Sequence, residues 1–180
     1  MLHEVLTVLY FFVPAYAANM SPVFVQGYFQ RLAAPIDGGR TFRGKRILGD
    51  HKTWRGLLSG VFSGVIVFEF QKLAYEAGYL KCLNTIDYST TAPQLGILLG
   101  LGTGVGDTVK SFFKRQMGIA PGKPWLVFDQ LDFLAGATLF ASPYYLPEIL
   151  PLLLSLPVVF AGSILTTAAG YWLGMKESWL

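Results

Sequence analysis

The chain has 180 residues, of which 53% are hydrophobic, 15% aromatic and only 14% charged, with a formal net charge of +3. Soluble domains carry about 25% charged residues, so this composition and a mean hydropathy of +0.47 argue against a soluble domain and favour a polytopic membrane protein. The single cysteine, Cys82, excludes an intramolecular disulfide framework and a cysteine-based metal site. We interpret it as a thiol without a role.

Five apolar runs approach the ~20 residues that a helix needs to cross a bilayer. We interpret the first as a retained helix, because the positively charged start of a secretory signal is missing. The predicted fold class is therefore an all-α integral membrane protein, with residues 1–180 forming one membrane-embedded domain. The predicted spans are Val5–Tyr28, Leu57–Tyr75, Leu95–Phe113, Leu131–Leu146 and Leu152–Leu173.

Positive charge is concentrated in two segments, one between the first two spans and one between the third and fourth. Cytoplasmic loops of membrane proteins are enriched in Lys and Arg, so we expect both segments and the C-terminus, with Lys176, in the cytoplasm and the N-terminus outside. The predicted location is the cell membrane, with a functional site facing the cytoplasm. The cations are Arg31, Arg40, Arg43, Lys45, Arg46, Lys52 and Arg55 in the first segment, and Lys110, Lys114, Arg115 and Lys123 in the second.

The first segment, "PIDGGRTFRGKRILGDHKTWRG", combines glycines at flexible turns with positive charge. Thr53 would cap the second span or donate to a phosphate, and His51 is interpreted as an ordinary loop residue. The alternative is a basic loop that binds anionic lipid headgroups. The candidate substrate-binding residues here are Arg40, Arg43, Lys45, Arg46, Lys52 and Thr53.

The third span, "LGILLGLGTGVGD", is rich in glycine. Gly96, Gly100 and Gly104 recur every four residues, a spacing that lets helix backbones approach closely in lipid. Gly102 and Gly106 fall on other faces, where we expect a ligand or an ion to approach the backbone.

Charges of both signs follow this glycine run. Asp107, Lys110 and Lys114 share one face of a helix, and Asp129 and Asp132 share a face at the start of the fourth span. A carboxylate at a membrane-embedded helix end is costly and therefore a functional candidate. Carboxylates suit Mg²⁺, which also binds substrate phosphates. The alternative is an interfacial ion-pair network, with lysines such as Lys110 extending to the membrane surface.

Several other enzyme classes are excluded by missing motifs. No Gly-x-x-x-x-Gly-Lys-Ser/Thr pattern and no catalytic triad or zinc motif occurs, and charge without a soluble domain indicates a lipid substrate. A CDP-alcohol phosphotransferase is rejected because "DGGRTFRG" lacks its Ala-Arg and Asp129 and Asp132 are three residues apart, not four. A small transporter of phosphate-containing anions stays open as the alternative, although no internal repeat is visible.

The stretch "GDTVKSFFKR…PGKPWLVFDQLDF" resembles the signature of CDP-diacylglycerol synthases: Gly-Asp, Ser-x-x-Lys-Arg, a short loop, then Asp-Arg-x-Asp. Two departures, "APGKPW" in the loop and Asp-Gln-Leu-Asp, together with "GDHKTWRG" and the ending "GYWLGMKESW", are similar to the archaeal branch, the CDP-archaeol synthase family. The matching positions are Gly106, Asp107, Ser111, Lys114, Arg115, Asp129 and Asp132.

This resemblance implies a CTP-dependent cytidylyltransferase that acts on an isoprenoid glyceryl phosphate lipid in the membrane. It implies Mg²⁺ on Asp107 and Asp129, with Asp132 as a further ligand, and substrate contacts from Ser111 and Lys123. A homo-oligomer is possible, and no nucleic acid is expected as a partner. The implied catalytic residues are Asp107, Lys114, Arg115, Asp129 and Asp132.

Overall fold

Six α-helices make up most of the part of the protein that the structure describes. The computed structural model describes residues 1–120, 123 and 125–172, so the predicted end of the last span at Leu173, Lys176 and the C-terminal motif lie outside the described residues. The helices are α1 (Leu2–Phe11), α2 (Val13–Phe24), α3 (Trp54–Glu76), α4 (Gln94–Gln116), α5 (Leu126–Ala141) and α6 (Ile149–Trp172). Two short strands, β1 (Thr41–Phe42) and β2 (Lys45–Arg46), form an antiparallel hairpin, and 3₁₀ turns cover Gln30–Leu32 and Lys81–Leu83.

The first predicted span is two helices, α1 and α2, which meet at an angle of 46°. Pro14 lacks the N–H that would bond to Tyr10 in a continuous helix. The freed carbonyl oxygen of Tyr10 instead accepts a hydrogen bond from Gln71 Nε2 on α3, at 2.6 Å. The bend is therefore stabilised by a neighbouring helix. The helix also ends at Phe24, before the predicted Tyr28.

The other four predicted spans each overlap a helix, although α5 begins at Leu126 and ends at Ala141, five residues before the predicted start and end of the fourth span. By length and composition, α3 could cross a bilayer, and so could α1 and α2 taken together as one bent span; these are the candidates within the described part of the chain. Many large apolar side chains are exposed, among them Phe62, Phe70 and Leu139. Such a surface is unusual for a soluble monomer and matches contact with lipid.

Helix α4 packs between α3 and α5 through two glycine faces. A Cβ on Gly96 or Gly100 would meet the backbone of α3, as predicted from their spacing. A Cβ on Gly102 or Gly106 would overlap the backbone of α5. The face of Gly102 and Gly106, where we expected a ligand or an ion to approach, is therefore packed against α5, and Gly106 also lines an open groove between the two helices.

The basic segment between α2 and α3 is an ordered structure docked on α4. Its ends are joined by backbone hydrogen bonds from Ile36 N to Lys52 O (2.8 Å) and from Trp54 N to Ala34 O (3.2 Å). Its hairpin contacts α4 through the rings of Phe42 and Phe112. The segment therefore covers the end of α4 that carries the charged residues.

Candidate active site

Three aspartates from two helices meet at the ammonium group of Lys110. Lys110 Nζ lies 3.1 Å from Asp107 Oδ1, 3.1 Å from Asp129 Oδ1 and 2.8 Å from Asp132 Oδ2. Asp107 is on α4, and the other two aspartates are one turn apart on α5. The close approach of the helices allows this convergence, because Gly106 directly faces the backbone of Asp132.

Two further lysines complete the cluster. Lys114 Nζ lies 3.1 and 3.0 Å from the two carboxylate oxygens of Asp129 and 2.7 Å from the carbonyl oxygen of Lys123. Lys52 reaches from the basic segment to pair with Asp107. Three carboxylates and three ammonium groups thus offset one another, which lowers the cost of removing them from water. The ion-pair network of the alternative interpretation is present.

The oxygen donors around Lys110 are of the kind that Mg²⁺ binds. A cation, the ammonium group, already lies within 3.1 Å of one oxygen from each of Asp107, Asp129 and Asp132. In the described part of the chain, no group of three His, Cys, Asp or Glu side chains is gathered closely enough to hold a metal by itself. The donor chemistry therefore fits a divalent cation, but Lys110 competes for the same oxygens.

Two polar clefts flank the pair formed by Lys52 and Asp107. The basic cleft, about 280 Å³, lies between the basic segment and the facing ends of α4 and α5. The inner cleft, about 190 Å³, lies between α2, α3 and α4. Lys52 and His51 line both clefts. The basic cleft is lined by Leu48, Gly49, Lys110, Ser111, Lys114, Arg115 and Asp129 in addition.

An apolar groove begins on the other side of the cluster. It has a volume of about 620 Å³ and lies between α4 and α5. Val109, Phe113 and Leu139 line it, while Lys110 and Asp132 lie along its wall as well. Charged and apolar surfaces therefore meet at the same two residues.

Of the other predicted site residues, Thr53, Ser111 and Arg115 lie close to the cluster. Thr53 caps α3, as predicted, by accepting a hydrogen bond from Gly56 N at 3.2 Å. Ser111 Oγ donates to the carbonyl oxygen of Asp107 at 2.9 Å. Arg115 donates to the carbonyl oxygen of Ala120 at 3.4 Å.

The remaining predicted substrate-binding cations lie farther out. Lys45 donates to the carbonyl oxygen of Gln116 at 2.6 Å. Arg46 is paired with Asp37 and Asp50, at 3.0 and 2.7 Å. Arg40, Arg43 and Lys123 are exposed.

Neither Lys110, at the centre of the cluster, nor Asp37, in the basic segment beside it, was among the predicted site residues. Lys110 follows Asp107 by one helical turn, which signalled a shared face but not the contacts with α5. Asp37 stands before two glycines, a pattern typical of a turn closed by an Asp side chain, and Gly39 N does donate to Asp37 Oδ1 at 3.0 Å.

The chain is similar to known proteins over most of its length. A family model described as CarS-like, CDP-archaeol synthase, matches residues 1–180. The chain is 39% identical over 166 residues to the CDP-archaeol synthase of Pyrococcus furiosus, covering 90% of this chain and 92% of that protein. It is 45% identical over 138 residues to the Thermococcus gammatolerans synthase, covering 75% and 72% of the two chains.

A solved structure described as an intramembrane enzyme for archaeal membrane lipid biosynthesis is similar in fold, with a TM-score of 0.71 and 28% identity over 87% of this chain and 90% of that one. The all-α architecture is thus shared with an intramembrane enzyme. The match of the family model over the whole length and the extent of the identities to its members together show that this chain belongs to the CDP-archaeol synthase family.

Proposed function

We propose that the cluster around Lys110 is where this chain transfers CMP from CTP to an archaeal ether-lipid phosphate. As a member of the CDP-archaeol synthase family, the protein is a cytidylyltransferase of lipid biosynthesis. With 2,3-di-O-geranylgeranylglyceryl phosphate, the products are CDP-archaeol and pyrophosphate. The observation that carries the assignment is the convergence of three carboxylates and three lysines between α4 and α5.

The basic cleft suits the triphosphate of CTP. Lys52, Lys114 and Arg115 line it from the basic segment and from α4. Fixed cations in a partly desolvated cleft attract phosphate oxygens more strongly than cations in open water do. The charge that develops on the departing pyrophosphate would be stabilised by these same side chains.

The chemistry requires positioning more than proton transfer. One oxygen of the lipid phosphate attacks the α-phosphorus of CTP and forms a new P–O bond. The bond from the α-phosphorus to the bridging oxygen breaks, and the electron pair leaves with pyrophosphate. Because a phosphate monoester is already ionised near neutral pH, no general base is needed. Alignment of the reactants and charge stabilisation then account for the catalysis.

Mg²⁺ is the cation that we propose for the carboxylates of Asp107, Asp129 and Asp132. Bound there, it would supply positive charge to the triphosphate. The support comes from the oxygen donors around Lys110. Lys110 itself would keep the three carboxylates close together before CTP arrives.

The apolar groove between α4 and α5 suits the two isoprenoid chains. It shares Lys110 and Asp132 with the charged cluster, so a lipid phosphate could reach the cluster while its chains stay on apolar side chains. The isoprenoid chains then stay out of contact with water. Removing apolar surface from water is favourable by about 25 cal/mol per Å².

We further propose five membrane spans, with α1 and α2 forming one bent span and the site facing the cytoplasm. The support is the concentration of Lys and Arg in the basic segment and at the end of α4, which the positive-inside rule assigns to the cytoplasm.

The test is the conversion of labelled CTP, by purified protein with Mg²⁺ and the lipid phosphate, into a chloroform-soluble cytidine product. We expect product with the unchanged protein and a loss of about 100-fold or more with Asp107→Asn or Asp129→Asn, the scale of removing an electrostatic group from an active site. Asp50→Asn is the matched control, because Asp50 is exposed and pairs with Arg46. Near-normal activity of both variants at saturating Mg²⁺ would refute the site. An unchanged protein that forms no product from CTP and the lipid phosphate would contradict the proposed function.

A further inference from the structure

We propose that Asp37 is a positioning residue for CTP, whose buried carboxylate holds the Leu48–Gly49 wall of the basic cleft and, through it, Lys52. The inference rests on the proposed function, because it takes the basic cleft as the triphosphate site.

Both carboxylate oxygens of Asp37 accept two hydrogen bonds each. Its side chain is 1% exposed. Oδ1 accepts hydrogen bonds from Gly39 N and Arg46 Nη2, both at 3.0 Å. Oδ2 accepts from the backbone N–H groups of Leu48 at 2.9 Å and Gly49 at 3.3 Å. Asp37 does not line either polar cleft, so its effect on a substrate has to pass through these partners.

The contacts lead from Asp37 to the charged cluster in short steps. Leu48 and Gly49 form part of the wall of the basic cleft. The carbonyl oxygen of Gly49 accepts a hydrogen bond from Lys52 N at 3.3 Å, and the ammonium group of Lys52 pairs with Asp107. Gly49 has φ of +102°, a conformation that side chains other than glycine rarely adopt. This turn is therefore specified by its sequence and fixed by Asp37.

The negative charge of Asp37 does not explain a role in CTP binding, which favours a role in positioning the cleft wall. Burial by itself raises the pKa of the Asp37 carboxyl, but hydrogen bonds from Leu48 N, Gly39 N, Arg46 and Gly49 N outweigh it and lower the pKa to about 2. Asp37 is thus negative at any working pH. A negative charge beneath a cleft for a polyanion weakens attraction to phosphate, so charge alone gives no advantage to this residue.

A role through charge and a role through positioning predict opposite changes in the KM for CTP when Asp37 is replaced with Asn. If only charge mattered, removing the carboxylate would tighten CTP binding and lower its KM. If Asp37 positions the cleft wall, the amide cannot accept all four hydrogen bonds, and the KM for CTP rises. We expect a rise of about tenfold, with kcat and the KM for the lipid phosphate changed by less than about twofold, the pattern of lost substrate binding.

Asp37→Glu and Asp50→Asn separate position from charge. Glu keeps the charge but moves the carboxylate by one methylene, so we expect the KM for CTP to rise again. Asp50→Asn removes the same charge from the same segment at an exposed position, and we expect its KM for CTP to stay unchanged or to fall slightly. The readouts are steady-state kinetics with each substrate and hydrogen exchange of residues 47–52, which should be faster in both Asp37 variants.

An unchanged or lower KM for CTP in a folded Asp37 variant would overturn the proposal. Failure of both variants to fold would overturn it as well, because Asp37 would then serve stability rather than the cleft. Formation of CDP-lipid by the unchanged protein and by Asp50→Asn would show that the proposed function stands in either case. Only their inactivity would count against that function.

Discussion

At the scale of single residues, Lys110 shows how partners decide the role of a charged group. Its place in the sequence favoured a lysine that extends toward the membrane surface, because only Asp107 and Lys114 on its own helix were visible. The structure adds Asp129 and Asp132 from α5, each within 3.1 Å of the ammonium group. Lys110 is therefore the counter-charge that lets three carboxylates approach one another.

Replacing Lys110 with Gln should destabilise the protein in the absence of divalent cations. Without the ammonium group of Lys110, the three carboxylates would repel one another. Removing one partner of a buried ion pair lowers the free energy of unfolding by about 3–5 kcal/mol. Added Mg²⁺ should restore more stability to Lys110→Gln than to the unchanged protein. Thermal unfolding in detergent, with and without Mg²⁺, measures both effects.

The control for this prediction is Lys81→Gln, which removes an exposed cation far along the chain from the cluster. Equal melting temperatures for Lys110→Gln and Lys81→Gln without divalent cations would contradict the role of Lys110 as the counter-charge.

At the scale of elements, α4 combines the packing of two neighbours with the chemistry of the site. Its glycines contact α3 on one face and α5 on another, and the second contact brings Asp107 toward Asp129 and Asp132. The four-residue spacing of Gly96, Gly100 and Gly104 predicted a packing face. The packing of the second face was not predicted, because the partner glycine, Gly136, lies on a helix whose position the sequence does not disclose.

Gly136→Ala should therefore impair both stability and activity. A Cβ there would overlap the backbone of Gly102 and approach Gly106 Cα within 2.9 Å, so α4 and α5 must separate. We expect a loss of about 1–3 kcal/mol of stability, as for other overpacked sites, and at least a tenfold loss of CDP-lipid formation. Melting temperature and product formation are the measurements.

Gly162→Ala is the matched helical control, because a Cβ at Gly162 in α6 has no neighbour within 4 Å. Its stability should stay unchanged or rise slightly, since Ala favours helix over Gly by about 1 kcal/mol. A Gly136→Ala protein as stable and active as Gly162→Ala would show that the helices do not meet as described.

At the scale of the whole molecule, α3 separates the basic segment from the segment that carries Cys82. Its 23 residues span about 35 Å at 1.5 Å per residue, close to the thickness of a bilayer core. The two segments should therefore lie on opposite sides of the membrane, with the basic one inside.

Labelling with a membrane-impermeant maleimide tests this orientation. The exposed thiol of Cys82 should react in intact cells, whereas Asp50→Cys in a Cys82→Ser background should react only after lysis. The opposite labelling pattern would show that the protein has the reverse orientation in the membrane. Labelling of both cysteines from outside the cell would contradict a membrane span in α3.

The sequence by itself determined the helical class, helices overlapping four of the five predicted spans, the glycine packing face and most of the charged residues near the site. These features depend on local composition and on spacing along one element, which are readable without a partner. The signature around Asp107 and Asp129 also identified the family, which the comparisons confirmed.

Tertiary structure alone decided the bend between α1 and α2 with its partner Gln71, the second glycine face, the central place of Lys110 and the contacts of Asp37. Each depends on a contact between elements distant in sequence, such as Gln71 with Tyr10 or Lys110 with Asp132. Spacing within one helix shows which side chains share a face. It does not show which helix lies opposite, and that neighbour sets whether a charge is paired, buried or free to bind a substrate.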